Sequence, residues 1–410
     1  MNLRLLSLMV VLVLLPPAWS QTAEELVTLA LKQNEGLLAV RQQVASSRGG
    51  VTQARLRANP SVQLSGTGEI AGTQNNLVLG GSLPLELFGR RERRMEVAAA
   101  GVRMTEFTEA EAERQLRAEV ELKFGEALAA SRNLEVAAGL LDLNRKALAL
   151  MEARVEQGAA PPLDASLLRV EVNRIDSLRA DLEGKFGVSL LELRSLAGLA
   201  PDVELRLNGT LESAGPEGSA TKAVRPDLLV ARAMEDIAGA RLKQAQTEGR
   251  ADASVSASYQ RMNSSFDVNG LNASGQLRPV QGIFHFITGG ISITLPLRNR
   301  NEGAIETAVA EVEAAKHRRE YAELVAAREV SAALLSLRKA RESLDIYRTG
   351  VRDQAARNLE VIRRTYELGR TRLLDVIAEQ RRFIEIETGY TEALSRTYQA
   401  SVRLRTAGSR

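Results

Sequence analysis

One motif occurs twice in this sequence and limits the folds open to the chain more than any other feature. Residues 155–164 and 366–375 both contain Glu-x-Gly-x4-Leu-Asp, and Gly369 lies 211 positions after Gly158. In each copy a long amphipathic pattern leads to the glycine, and a second pattern leads away from the aspartate. Glycine just past a helix end readily takes the left-handed conformation, and aspartate is favoured where a helix starts. The sequence therefore predicts two long helical hairpins that turn at Gly158 and Gly369.

The rest of the chain supports a duplication. Residues 85–100 and 295–310 are identical at seven of sixteen positions, including Arg90 with Arg300. We predict one repeat at 21–200 with strands at about 61–87, a Gly/Pro-rich linker at 201–226, and a second repeat at 227–410 with strands at about 252–297. Each repeat should consist of a helix, a β-hairpin, a long helix and a return helix.

Hydrophobic periodicity assigns most of the chain to helices and a small part to strands. The helical patterns cover residues 23–58, 89–157, 164–199, 227–250, 300–368 and 371–405. The helix over 89–157 would be roughly 100 Å long at 1.5 Å per residue. Alternating patterns predict one hairpin from 61–68 and 77–85, and another from 254–259 and 284–297 with a Gly/Asn/Ser-rich loop at 263–282. The expected fold is mainly α with a small β part.

Composition removes several functional classes. Cysteine is absent, which excludes disulfides and thiolate metal sites. The net charge is only +3, and no basic block is interleaved with aromatic residues, so no nucleic-acid partner is expected. His285 and His317 are the two histidines, one in a predicted strand and one in a predicted helix, which argues against a His-based metal site. No nucleophile elbow or His-Glu-x-x-His run occurs, so we expect neither an enzyme nor a bound cofactor.

Residues 1–20 have the pattern of a cleaved secretory signal. A short apolar core from Leu5 to Leu15 is followed by Ala18-Trp19-Ser20, a small-x-small site. The alternative, a membrane anchor, needs about 20 apolar residues. The mature protein is therefore expected to be exported.

The strand count constrains the assembly. Strands of about 9–11 residues are long enough to cross a membrane, but open sheet edges are not tolerated in lipid. Closing a barrel takes about eight strands, and this chain is predicted to supply four. A membrane barrel would therefore have to be shared between copies, whereas two hairpins packed on helices in a soluble protein remain the alternative.

Several segments together carry a resemblance to a known family. They are the signal, Asn59-Pro60, the run from Leu85 to Arg91, the run from Leu295 to Gly303, and residues 366–375. With these features the chain resembles the TolC-type outer membrane factor family of outer membrane efflux proteins, nearest its heavy-metal efflux branch.

The resemblance implies an architecture and a set of partners. It implies a homotrimer with a trimeric α-barrel in the periplasm and a shared 12-stranded β-barrel in the lipid of the outer membrane of a Gram-negative type cell. The channel would be the exit duct of a tripartite efflux pump or type I secretion system. Its partners would be a periplasmic adaptor (membrane fusion) protein and an inner-membrane transporter of the RND or ABC type. A soluble periplasmic coiled-coil adaptor is the alternative function, and an enzyme is a distant third.

The resemblance also implies site residues at the helical turns. Tyr366, Gly369 and Asp375 match the family's periplasmic tip motif, and Asp164 matches its counterpart in the first repeat. Threefold rings of Asp164 and Asp375 would form an acidic constriction that favours cations. The motif's arginine position is occupied by Thr371, with Arg370 and Arg372 on either side, and its second aspartate position by Ala378. Helix capping is the alternative role for both aspartates.

A second set of candidate residues lies where strands meet helices. Arg90, Arg91 and Arg300 are expected at this junction, and Arg93 and Arg94 follow in the same helix. The helix dipole disfavours cations at a helix start, so lipid headgroups or ordinary solvation should compensate. The aromatic residues of the second hairpin, Tyr259, Phe284 and Phe286, are candidates for a membrane interface or for a core.

Overall fold

The computed structural model describes residues 20–70, 74–212 and 225–408. The predicted secretory signal lies outside these residues, apart from Ser20. The helices are α1 (Ala23–Gln33), α2 (Glu35–Arg55), α3 (Arg90–Glu156), α4 (Pro162–Leu196), α5 (Pro226–Glu248), α6 (Glu302–Ile346), α7 (Arg352–Glu367) and α8 (Leu373–Gly408). The strands are β1 (Ser20–Gln21), β2 (Ser61–Gly68), β3 (Asn75–Pro84), β4 (Arg206–Leu207), β5 (Asp252–Leu271) and β6 (Leu277–Thr294). The predicted order of helix, hairpin, long helix and return helix occurs twice.

Two compact units divide the chain. The first comprises Met1–Arg41, Glu109–Pro226 and Leu324–Arg410, and the second comprises Gln42–Thr108 and Asp227–Glu323. Each unit thus draws on both repeats. The duplication in sequence is not a division into two separate domains.

The first unit is held together by a core built from α1, α3, α4 and α8. Its fully buried side chains include Leu26, Val120, Phe124, Leu193 and Val402. β1 and β4 form a short parallel pair beside it. The predicted linker therefore begins with ordered structure, and its residues 213–224 lie outside the described part of the chain.

The second unit contains a four-stranded sheet in the order β2-β3-β5-β6. All three pairings are antiparallel, and β3 of the first hairpin pairs with β5 of the second. The two hairpins predicted from separate repeats therefore form one sheet. β2 and β6 are its edges, and each has one strand partner among the described residues.

The structure corrects the predicted loop at 263–282. β5 continues to Leu271 and β6 begins at Leu277, so the connection is a short turn. Asn272 accepts hydrogen bonds from the backbone of Ser274 and Gln276, and Gly275 has a φ of 76°. Composition predicted a loop because Gly, Asn and Ser are depleted in strands, but pairing with a partner strand overrides that preference.

Two predicted helices are interrupted. The helix expected over 23–58 breaks at Asn34, whose side chain accepts a hydrogen bond from Leu37 N and donates one to Leu196 O, and it ends at Arg55. The helix expected over 300–368 contains a π-helical turn, Tyr347–Val351, between α6 and α7. None of the described helices is long and apolar enough to cross a membrane.

Candidate functional site

The two helical turns have the same backbone hydrogen bonds. In the first, Gly158 N donates to Val155 O at 2.9 Å and Ala159 N donates to Arg154 O at 2.8 Å. In the second, Gly369 N donates to Tyr366 O at 2.8 Å and Arg370 N donates to Thr365 O at 3.0 Å. Both turns are Schellman motifs, with Gly158 at φ 70° and Gly369 at φ 73°. The glycines are where the sequence predicted them.

The two aspartates lie inside the first turn of the return helices. The sequence prediction put them at the helix start, but α4 begins at Pro162 and α8 at Leu373, two residues before each aspartate. The carboxylate of Asp375 accepts a hydrogen bond from Arg372 N at 3.3 Å. This is half of a capping box, and an acidic group in a first turn also suits the helix dipole. The capping role is therefore present at Asp375.

An apolar cluster brings the two turns together. Met151 of α3, Leu168 of α4, and Leu373 and Ile377 of α8 are buried in it, and Tyr366 packs against them. Burial raises the pKa of Tyr366, and the negative charge of Asp164 raises this pKa further. Tyr366 and Asp164, predicted from different repeats, are thus neighbours.

The remaining turn residues face outward. Arg370 and Asp375 are exposed. In the described part of the chain, no hydrogen bond or ion pair joins the side chains of Asp164, Tyr366 and Arg370. Within one protomer the turns present charged groups that are free to meet groups of another chain.

At the junction of strand and helix, the protein itself supplies partners for the arginines. Arg90 donates to Arg250 O at 2.8 Å and to Glu248 O at 3.3 Å, and lies 3.6 Å from Asp252. Arg94 pairs with Glu86. Protein carbonyls and carboxylates therefore compensate these cations at the start of α3, a source that the sequence prediction did not consider.

The second junction has a different anchor. Asn301 follows Arg300 with a φ of 66°, and its side chain donates to Ala245 O at 2.9 Å. Arg300 N donates to the carboxylate of Glu302 at 3.1 Å. The sequence prediction selected Arg300 and missed Asn301, although asparagine is the residue that best tolerates a left-handed backbone after glycine.

Sequence reasoning missed a buried charge cluster in the first unit. The Glu387 side chain is 6 % exposed and receives a hydrogen bond from Arg352 at 2.7 Å, while Arg132 lies 3.6 Å away. Both guanidinium groups also lie over the Tyr390 ring, 5.2 Å (Arg132) and 5.0 Å (Arg352) from its centroid. The cluster joins α3, α7 and α8.

The cluster lies next to the π-helical turn. Arg352 directly follows Val351, and the Tyr347 ring packs over Gly389, where an added Cβ would come within 2.5 Å of its hydroxyl. Glu and Arg at helical spacing are expected on solvated faces. This expectation is wrong for Glu387 and also for Glu171, which is 1 % exposed and paired with Arg174 and Arg381. A sequence does not distinguish a buried glutamate from an exposed one when both lie at helical spacing from arginines.

The sheet has one apolar and one polar face. Cross-strand rows on the first face include Leu64–Leu79–Tyr259–Ile287 and Leu83–Val255–Ile291. A row on the second face is Ser61–Ser82–Ser256–Gly290, with a hydrogen bond between the first two hydroxyls. The apolar face is uncovered, since Ile287 is 88 % and Ile291 is 71 % exposed. Tyr259 lies on this face, whereas Phe284 and Phe286 lie on the other.

No metal site accompanies these features. Among the described residues, no group of three or more His, Cys, Asp or Glu side chains is arranged to hold a metal ion. His285 receives or donates a 2.6 Å hydrogen bond with the Tyr259 hydroxyl, and His317 contacts Glu320 at 3.3 Å.

Comparison with known proteins identifies the family. The sequence profile of the outer membrane efflux protein family matches residues 26–199 and 218–408. The chain belongs to the outer membrane efflux protein family. It is therefore an outer-membrane protein of the efflux-channel class, and the alternative of a soluble periplasmic adaptor is set aside.

Individual relatives support the assignment of this chain to the outer membrane efflux protein family. It is 24% identical over 387 residues to the cobalt-zinc-cadmium resistance protein CzcC of Cupriavidus metallidurans, covering 93% of this chain and 88% of that protein. Its fold matches the crystal structure of CusC with a TM-score of 0.75 at 18% identity, covering 94% and 92% of the two chains. The outer membrane protein VceC of Vibrio cholerae matches with a TM-score of 0.73 at 18% identity, covering 94% and 96%.

Proposed function

We propose that three copies of this outer membrane efflux protein assemble into a channel that is the exit duct of a tripartite pump. The observation that carries the proposal is the four-stranded sheet with two open edges, one apolar face and one polar face. Lipid-facing and lumen-facing residues alternate in the same way along the strands of membrane barrels. Three copies supply twelve strands, and β6 of one copy pairs with β2 of the next.

The extent of the apolar face fits a membrane. From Ile287 in β6 to Leu295, one residue past its end, every second residue is apolar or glycine. Eight steps of about 3.4 Å span roughly 27 Å along the strand. With a strand tilt of about 40°, this gives roughly 20 Å along the barrel axis, against an apolar band of about 25 Å in membrane barrels.

Pump partners are proposed on the chemistry of the turns. The turns at Gly158 and Gly369 present Arg370 and Asp375 outward and leave them without side-chain partners within the described protomer. A periplasmic adaptor protein that contacts these turns would connect the duct to an inner-membrane transporter, which supplies the energy. The resemblance to CzcC favours an efflux pump over a type I secretion system.

Metal cations are the proposed cargo. CzcC is by name a cobalt-zinc-cadmium resistance protein. Threefold rings of Asp164 and Asp375 would give the entrance a negative potential that concentrates cations. The cargo would pass through the duct without being held.

The assembly is tested by fractionating cells that express the protein and running the outer-membrane extract on a gel with and without boiling. We expect a detergent-resistant trimer in the outer-membrane fraction. A monomer released by osmotic shock would contradict the shared barrel. The cargo is tested separately, by restoring zinc resistance to cells in which the endogenous duct has been deleted.

A further inference from the structure

A pair of basic side chains interrupts the apolar face of the sheet. Arg261 of β5 and His285 of β6 are direct cross-strand partners, in the row that also contains Gly66 and Leu77. The next row towards the helices is Leu64–Leu79–Tyr259–Ile287, where the apolar face begins. Tyr259, Arg261 and His285 are the only ionisable side chains described on this face. The basic pair thus separates the apolar rows from the mixed row Gly68–Asn75–Asn263–Ile283.

The pair has donors available for an anion. The Tyr259 hydroxyl lies 2.6 Å from His285 Nδ1. When this hydroxyl donates to Nδ1, the imidazole proton is on Nε2, which then points away from the bond as a free donor. Arg261 makes a long 3.4 Å hydrogen bond to the Asn75 side chain, so most of its five N–H donors remain for a ligand.

No carboxylate among the described side chains of the sheet lies beside this pair. β2, β3 and β6 contain no acidic residue. The acidic side chain described in β5, Asp252, lies at the opposite end of the strand beside Arg90. A guanidinium with no described carboxylate partner, next to an imidazole donor, favours an anionic ligand, and arginine matches phosphate particularly well.

We propose that Arg261 and His285 bind the phosphate group of a membrane lipid. The ligand is a lipid and not free phosphate because the site adjoins an exposed apolar surface, where acyl chains would lie along Ile287 and Leu79 while the headgroup reaches the basic pair. Basic residues at the level of lipid headgroups recognise anionic lipids by this chemistry. This inference rests on the proposed barrel, in which the apolar face contacts lipid.

The test measures lipid binding to the purified full-length trimer by native mass spectrometry. The probe is phosphatidic acid, with diacylglycerol as a lipid that lacks the phosphate and inorganic phosphate as an anion that lacks acyl chains. The double variant Arg261→Gln/His285→Gln is compared with Arg278→Gln. Arg278 is an exposed arginine of β6, seven residues from His285 and therefore on the opposite face.

We expect the double variant to bind phosphatidic acid about tenfold more weakly, since it loses the charged donors to the phosphate. Arg278→Gln should bind it like the wild type, and diacylglycerol binding should be equal in all three proteins. Unchanged binding in a double variant that still forms membrane trimers would overturn the lipid site and leave the channel intact. Equal competition by inorganic phosphate would overturn the lipid as the source of the anion. A wild-type protein that forms no membrane trimer would overturn the channel as well.

Discussion

Glu121 and Glu171 are buried glutamates in the helical part of this protein, and their surroundings shift their pKa values in opposite directions. Burial raises the pKa of Glu121, and the nearby Arg405 and Arg117 offset this only in part. Burial also has the largest influence on the pKa of Glu171, but hydrogen bonds from Arg174 and Arg381 outweigh it and lower that pKa.

These opposite shifts predict opposite pH dependences. The Glu171 pKa is lowered from 4.5, so its stabilising contribution is complete above that pH and is lost as pH falls through the folded-state value. Glu171→Gln should cost about 1–2 kcal/mol at neutral pH and progressively less under acid. The Glu121 pKa is raised from 4.5, so its contribution is complete below that pH and is lost as pH rises. Glu121→Gln should therefore gain stability relative to wild type as pH increases. Thermal unfolding across this pH range checks both, and parallel trends in the two variants would contradict the assignment.

Among the carboxylates of Glu121, Glu171 and Glu387, that of Glu387 is predicted to be the one whose replacement destabilises the protein most. Glu387→Ala leaves Arg132 and Arg352 without their shared partner, and removing one member of a buried ion pair costs about 3–5 kcal/mol. Because both arginines are partly exposed, we expect a loss of about 2 kcal/mol, measured by thermal unfolding of the purified protein. Glu392→Ala is the control on the same helix, since its pair with Arg396 is exposed, and it should change stability by less than about 0.5 kcal/mol. Equal losses of stability in the two variants would show that the buried cluster stabilises the protein no more than an exposed ion pair does.

At the scale of elements, the turns depend on two glycines with left-handed backbones. A Cβ at Gly158 or Gly369 would meet no neighbouring atom, so the cost of Gly369→Ala is conformational, about 1–2 kcal/mol. Gly184 lies exposed within α4, where alanine is favoured, so Gly184→Ala should instead gain up to about 1 kcal/mol. Unfolding temperatures of the two variants should move in opposite directions. A stabilising Gly369→Ala would mean that the turn does not need the left-handed conformation.

The sheet predicts a contrast between adjacent residues of one strand. Ile291→Arg puts a cation on the apolar face, where lipid would make it cost about 2–4 kcal/mol near the bilayer midplane. Ser292→Arg puts the same side chain on the polar face, where water in the lumen would solvate it. We expect less trimer in the outer-membrane fraction for Ile291→Arg and a normal amount for Ser292→Arg, measured on unboiled gels. Equal yields would contradict the assignment of the faces.

At the scale of the whole molecule, the acidic turn residues should set ion selectivity. Asp164→Asn with Asp375→Asn removes the proposed aspartate rings, so planar-bilayer recordings should show the reversal potential in a salt gradient moving toward zero. Asp353→Asn removes an exposed charge of α7 more than three helical turns from Gly369 and should leave selectivity unchanged. An unaltered reversal potential in the double variant would mean that the two aspartates cap helices and do not set ion selectivity.

The sequence by itself determined those features that depend on local backbone chemistry. Gly158 and Gly369 predicted the turns because few other residues take a left-handed backbone, and unbroken 3.6-residue periodicity predicted α3 and its return helix. Alternation predicted the four strands, and their small number predicted sharing between copies. The turn residues could be placed for the same reason, since the motif is local.

Only the tertiary structure decided which distant groups meet. The pairing of β5 with β6 turned the glycine- and asparagine-rich segment into long strands, since a partner strand supplies the hydrogen bonds that propensity does not count. Asn34 split a helix because its side chain bonds the carbonyl of Leu196 in another helix. The Glu387 cluster and the Arg261–His285 pair are invisible in sequence for the same physical reason. Burial and cross-strand proximity depend on contacts between residues far apart in the chain, which periodicity does not record.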